Sequence, residues 1–185
     1  MAPAGASSSD AEVRTAVIAA GDGVATPEQI ALLVDEGLAD QVVDPNSAEV
    51  EVTHAEDGAA LSSNAMVPNA AYCTIDGHYT VTWTFKSYLG NVSYRWFHRT
   101  NYCRGGGKVR VKSHNDGVRD ADFMIQVREV VSKAKSGGGT GQARAYMQRH
   151  LESCVIKYGC TASSYPWNRS FINANGTYRH EGSNK

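Results

Sequence analysis

One short segment, HYTVTWTFK at residues 78–86, alternates strictly between two kinds of side chain. Successive side chains of a β-strand point to opposite faces, so this pattern predicts a strand with one buried face and one exposed face. Such a strand is stable only in a sheet that packs on a second layer. The residues expected on the buried face are Tyr79, Val81, Trp83 and Phe85.

Weaker strand patterns follow along the chain. Residues 87–91 predict a hairpin, and in the next strand Phe97 interrupts the alternation, which predicts a bulge at 96–98. The segment 142–160 suits either a helix or a strand; we favour a strand because its neighbours are short and antiparallel. Asn175-Gly176 predicts a terminal hairpin with a type I′ turn. Together the patterns predict a mainly β chain that forms an antiparallel β-sandwich, immunoglobulin-like or related.

The charge is distributed very unevenly. Residues 1–68 contain twelve Asp and Glu against the single basic residue Arg14, whereas residues 69–185 contain seven Asp and Glu against seventeen Lys and Arg. We therefore expect two regions: an acidic, mostly flexible leader over 1–68, and a basic β-domain over 69–185. Opposite charges on one chain suggest that the leader folds back on the domain or that each region meets its own partner.

Three segments of the leader stand out. Thr26, Pro27 and Gln29 form a capping-box pattern that predicts a short helix near 27–37. The other two, AVIAA and AEVEVT, are candidates for binding a partner protein in extended form. Their candidate contact residues are Ala16, Val17, Ile18, Val50 and Val52.

All four cysteines lie in the basic region, an even number that suits two disulfides in a secreted domain. Three pairings of Cys73, Cys103, Cys154 and Cys160 are possible, and pairing in sequence order is one of them. No run of 18 apolar residues predicts a membrane span. The opening MAPAGASSSD is typical of the residues that follow a cleaved signal peptide, so we expect an extracellular protein.

The basic region contains a candidate binding face. If their strands are neighbours, five outward cations could form a stripe for phosphates or for an acidic segment; the alternative is a solvated sheet face. The stripe would comprise Arg95, Arg99, Lys108, Arg110 and Lys112. We expect no metal and no cofactor, since no metal-ligand spacing or phosphate-loop motif occurs.

Histidines are the only catalytic candidates, and they are scattered over four elements at His78, His98, His114 and His150. They would have to converge in three dimensions to act as the acid and base of a nuclease or hydrolase. Most aromatic residues fall on inward faces and would not be free to stack on bases, so nucleic acid is not the expected partner.

The order YCTIDGHYTVTW, a hairpin, LESCVIKYGC, SYP and a terminal NGTYRH resembles small exported actinobacterial proteins with a disulfide-bonded β-sandwich. With its small-residue leader, the chain is also similar to the adaptor subunit of secreted umbrella toxin particles. That resemblance implies a noncatalytic linker whose leader, through AVIAA or AEVEVT, inserts as a strand into a protease-like lectin subunit.

We therefore expect a noncatalytic secreted adaptor that binds another protein. Two alternatives remain open: a basic secreted nuclease-like toxin or hydrolase that uses its histidines, and a coat component that clasps a second copy of itself.

Overall fold

The computed structural model describes residues 8–57 and 72–184. Two helices come first, α1 (Asp10–Gly21) and α2 (Pro27–Asp35). Nine strands follow: β1 (Val43–Asp57), β2 (Ile75–Ser87), β3 (Val92–Gly105), β4 (Lys108–Arg119), β5 (Ile125–Ser136), β6 (Gln142–Val155), β7 (Gly159–Ser164), β8 (Trp167–Asn173) and β9 (Tyr178–Ser183). The predicted boundary at residue 68 lies outside the described residues.

The strands form two antiparallel sheets, which confirms the predicted mainly β sandwich. The first sheet has the order β1-β2-β3-β4, and the second has the order β5-β6-β8-β9, with β7 paired to β6. The first sheet is a meander in chain order, whereas in the second sheet β7 and β8 both pair with β6. The segment 142–160 is strand, as favoured, through β6 and β7.

The main core lies between the two sheets, and the alternation in β2 builds one wall of it. Tyr79, Val81, Trp83 and Phe85 are each at most 8% exposed. Tyr94 and Trp96 of β3 face the same interior, together with Met147 and Ile172 from the second sheet. The inward position predicted for these aromatic residues is thus confirmed.

The leader differs from the extended segment predicted by its composition. Residues 10–57 form α1, α2 and β1, and the AVIAA segment lies inside α1, where Ala16 and Val17 are fully buried and Ile18 is 38% exposed. The physical reason is a helical repeat: Val13, Ala16, Val17 and Ala20 line one face, and Ser9 caps the helix with Glu12 in a capping box.

A second, smaller core holds these helices on the domain. The buried face of α1 packs against Leu33 of α2 and against Val155 at the end of β6. The Tyr88 hydroxyl donates a 2.9 Å hydrogen bond to the carbonyl of Ala20, and Lys157 pairs with Asp10 at 2.5 Å. The acidic leader, over its described part, therefore folds back on the basic domain.

The cysteines pair in sequence order. Cys73 is bonded to Cys103 beside β2 and β3, and Cys154 is bonded to Cys160 across β6 and β7. Two disulfides fit an oxidising, extracellular environment. Among the described residues, no helix is both long and apolar enough to cross a membrane.

Candidate functional site

The first candidate surface is the outer edge of β1, which has a hydrogen-bonded neighbour on one side only. From Glu49 to Asp57 the strand pairs with β2 without a register break, after an irregularity between Asp44 and Glu49. Nine residues of strand present an edge about 30 Å long. A long regular edge of this kind offers free backbone donors and acceptors to another strand.

Val50 and Val52 lie on the inward face of this edge strand, because they pair with the buried residues Trp83 and Val81. They nevertheless remain 42% and 40% exposed. In the second sheet, Tyr178 of β9 and Asn184 just after it contact β1, and between them Gly182 packs on Trp83 and has no side chain. A Cβ at Gly182 would lie 2.7 Å from the Trp83 ring, so Trp83 excludes a larger residue.

The ends of this open side are tied to the second sheet. Near one end, Glu56 receives two hydrogen bonds from the Arg104 guanidinium, at 2.7 and 2.6 Å, and one from the Tyr102 hydroxyl at 2.8 Å. Tyr178 of β9 also donates to Glu56. Near the other end, the Asn184 side chain donates to the carbonyl of Pro45. Val50 and Val52 thus lie between two hydrogen-bonded contacts that connect β1 to the second sheet.

Electrostatics distinguish this edge from the rest of the sheet. Hydrogen bonding to Arg104 lowers the pKa of Glu56 to about 2, so this carboxylate is ionised at neutral pH. On the outward face of β1, Glu49 pairs with Lys86 at 2.5 Å. Glu51 and Asp57 have no ion-pair partner within the described ranges, so the edge carries uncompensated negative charge.

The predicted basic stripe is divided between two ends of the first sheet. Arg95 and Arg99 lie on β3 opposite Arg119 and Asn115, whereas Lys108 and Arg110 lie opposite Gly105 and Cys103. Lys112 falls at a register irregularity and pairs with Asp76 at 2.9 Å. Arg95 pairs with Asp120. The described acidic residues therefore already neutralise part of this face.

The histidines are distributed over several surfaces. His78 is on the outward face of β2, and His150 of β6 stacks on Tyr165 with ring centroids 4.7 Å apart. His98 and His114 do meet: the His98 Nε2 and His114 Nδ1 atoms are 3.1 Å apart. Burial and the nearby His114 lower the pKa of His98 to about 3, and no part of His98 is exposed. A substrate could reach only His114 of this pair.

A buried ion pair lies beside the histidines. Asp116 accepts hydrogen bonds from Arg149 at 2.6 and 2.7 Å and from the Trp96 indole at 2.9 Å. Burial alone would raise the pKa of Asp116, but the Arg149 and Trp96 hydrogen bonds outweigh it and lower that pKa. The sequence analysis did not identify this pair, because Asp116 and Arg149 belong to different sheets and nothing local links them.

A second candidate surface is the cleft between β4 and β5, at the opposite edge of the first sheet from β1. Lysines from both strands line it together with His114. No group of three or more His, Cys, Asp or Glu side chains within the described ranges is placed to hold a metal ion. The geometry thus provides one acidic strand edge and one basic cleft.

Comparisons with known proteins returned no match: no family model, no curated protein and no solved structure is significantly similar to this chain.

Proposed function

We propose that this chain is a secreted, noncatalytic binding protein that docks an extended segment of a partner protein on the open edge of β1. The observation that carries the proposal is the regular edge from Glu49 to Asp57, with Val50 and Val52 uncovered beside it. In such strand addition, main-chain hydrogen bonds supply affinity and alternate side chains supply specificity.

The charge and shape of the edge define the partner segment. Its apolar side chains would cover the Val50 and Val52 strip, and its alternate side chains would lie beside Glu51 and Asp57. Basic residues suit those alternate positions, because the two carboxylates have no ion-pair partner in the described part of the chain. We therefore expect an extended segment that alternates apolar with basic or hydroxyl residues.

The contribution of the valines can be estimated from their exposure. Covering the remaining exposed surface removes roughly 60 Å² of each valine from water, which contributes about 1.5 kcal/mol per residue. Two valines together contribute about 3 kcal/mol, equivalent to about a hundredfold in Kd. Substitution of both valines by lysine should remove this contribution to the binding free energy. It also places charges on the inward side of the edge, and inward-pointing charges block strand addition.

The fold changes how the hypothesis has to be tested. Removing residues 1–68 would delete β1 and also the buried faces of α1 and α2, so loss of binding could reflect damage to the domain. A double variant, Val50→Lys with Val52→Lys, avoids this because both side chains are already partly exposed. Val127→Lys with Val131→Lys is the matched control, since it places two lysines at valines of similar exposure on a different edge strand, β5.

The experiment captures proteins from the native culture medium with wild-type protein and both variants, then measures binding of each to the purified retained protein. We expect wild type and the V127K/V131K variant to bind it alike, and the V50K/V52K variant to bind at least tenfold more weakly. Equal binding by all three proteins, or no retained protein with wild type, would refute docking on β1. A role for this chain as the adaptor subunit of a secreted toxin particle stays a prediction.

A further inference from the structure

The cleft between β4 and β5 is a separate surface from the β1 edge. The side chain of Lys135 on β5 reaches across to the carbonyl of Lys112 on β4 at 3.2 Å. An isolated antiparallel bridge, Val109 with Thr140, joins β4 to the loop that follows β5. The cleft has a volume of about 360 Å³, and its lining residues are Lys112, Ser113, His114, Lys133, Ala134 and Lys135.

The cleft is rich in hydrogen-bond donors and positive charge. None of its lining residues is Asp or Glu. Lys133 has no carboxylate partner in the described part of the chain, whereas Lys112 is paired with Asp76. The Ser113 hydroxyl already accepts a hydrogen bond from Asn101 at 3.0 Å. Three ammonium groups with one paired carboxylate leave an excess of positive charge here.

The position of the proton on His114 follows from a chain of buried hydrogen bonds. The Asn168 Nδ2 atom lies 2.9 Å from Nδ1 of His98 and 2.9 Å from the Ser170 hydroxyl; with the amide in this orientation it donates to both, and the proton of neutral His98 is on Nε2. That proton is donated to Nδ1 of His114, which is 3.1 Å away. The proton of neutral His114 therefore sits on its Nε2.

His114 is held as a neutral donor at the base of the cleft. Its side chain lines the cleft although the residue is only 6% exposed, and its Nε2 has no hydrogen-bond partner within the described ranges. Burial, with Lys133 and Lys135 nearby, lowers the pKa of His114. The imidazole thus presents an N–H group that can donate to solvent or to a ligand in the cleft.

We infer that this cleft binds a phosphate or sulfate group, with Lys133, Lys135 and the Nε2–H of His114 as its donors. A tetrahedral oxyanion has enough oxygen atoms to accept from all three groups at once, and its charge balances the unpaired ammonium groups. The site goes beyond the proposed function, because it lies on the opposite edge of the first sheet from β1.

The bound phosphate or sulfate can be a free ion or, for sulfate, part of a sulfated polysaccharide. In both cases its oxygen atoms accept hydrogen bonds from the same donors of the cleft. Single-stranded nucleic acid fits less well, because tight binding to it relies on exposed aromatic rings that stack on bases. No aromatic ring other than the imidazole of His114 lines the cleft. The ligand is therefore recognised by charge and hydrogen bonding.

The test uses the full chain and titrates it with sodium phosphate or sodium sulfate at constant ionic strength. Binding is followed through the side-chain NMR signals of His114. Lys133→Gln removes one exposed donor of the cleft on β5. The matched control, Arg119→Gln, removes an exposed cation at the last residue of β4, outside the cleft.

We expect both anions to shift the His114 signals, with an affinity that K133Q lowers about tenfold and R119Q leaves unchanged. No shift at tens of millimolar anion would overturn the inference, as would equal weakening by the two variants. Heparin and a ten-nucleotide oligouridylate then identify the source. Heparin far tighter than sulfate indicates a polymer, similar affinities indicate the free ion, and tighter binding of the RNA would contradict recognition without stacking.

Discussion

Glu56 connects the leader to the rest of the protein, and its substitution by glutamine gives the sharpest prediction on stability. The carboxylate is 23% exposed and receives the paired Arg104 hydrogen bonds together with those of Tyr102 and Tyr178. Its pKa falls from 4.5 to about 2, mainly through Arg104. That difference corresponds to about 3 kcal/mol of unfolding free energy at neutral pH, which solvent screening reduces toward about 2.

The lowered pKa of Glu56 determines how its contribution to stability depends on pH. A carboxylate with a lowered pKa in the folded state stabilises the protein above its unfolded-state value near 4.5, and this contribution is lost as the pH falls toward 2. Glu56→Gln should therefore reduce the free energy of unfolding by about 2 to 3 kcal/mol at pH 7. The difference from wild type should shrink steadily between pH 4.5 and pH 2.

Urea unfolding of both proteins at several pH values measures this directly. Glu51→Gln is the matched control, since Glu51 is exposed on the same strand and lies outside any described ion pair. We expect the control to change the free energy of unfolding by less than about 0.5 kcal/mol. The reasoning is refuted if the two variants are equally stable at pH 7, or if the deficit of E56Q persists undiminished at pH 2.

Two further predictions concern the two cores. Asp116→Asn leaves Arg149, whose side chain is 17% exposed, without its counter-charge. The change should cost about 2 to 3 kcal/mol in urea unfolding, less than for a fully buried charge, and a loss below about 1 kcal/mol would contradict the pair. Val17→Ala should cost about 2 kcal/mol because the residue is fully buried in α1, whereas Ile18→Ala should cost less than about 1. Similar losses for Val17 and Ile18 would contradict the docked helix.

The strands of the fold were predictable where one local pattern dominated. The alternation over residues 78–86 predicts both the strand and its buried face, since that face covers the main core. The helix α2 is where its capping box indicates. The helix α1 was missed although Ser9 and Glu12 carry the same signal, because small apolar residues such as Ala16 fit both an extended strand and a helix face.

Turns and bulges were less predictable. The terminal hairpin forms, but the Gly176 N–H donates to the Asn173 carbonyl, so the central residues of the turn are Ala174 and Asn175. Neither has a positive φ, so the turn is not type I′. Gly106 and Gly107 both have positive φ, as a type I′ turn requires, and they join β3 to β4. The bulge expected at 96–98 is instead opposite Phe85 and Lys86, while Phe97 points outward beneath Arg119.

The two candidate surfaces differ in how far the sequence could indicate them. The AEVEVT alternation singled out Val50 and Val52, but its position at a sheet edge depends on strand order. The cleft is a purely tertiary feature, because His114 and Lys133 come from strands in different sheets. No local sequence pattern indicates which strand of one sheet packs beside which strand of the other.

Hydrogen–deuterium exchange of the wild-type chain, alone and with the partner retained from the medium, tests the central claim most directly. Strand addition predicts new protection of backbone amides within residues 49–57, since a docked strand would bond the free edge of β1. Protection confined to other strands, with exchange in 49–57 unchanged, would contradict the account.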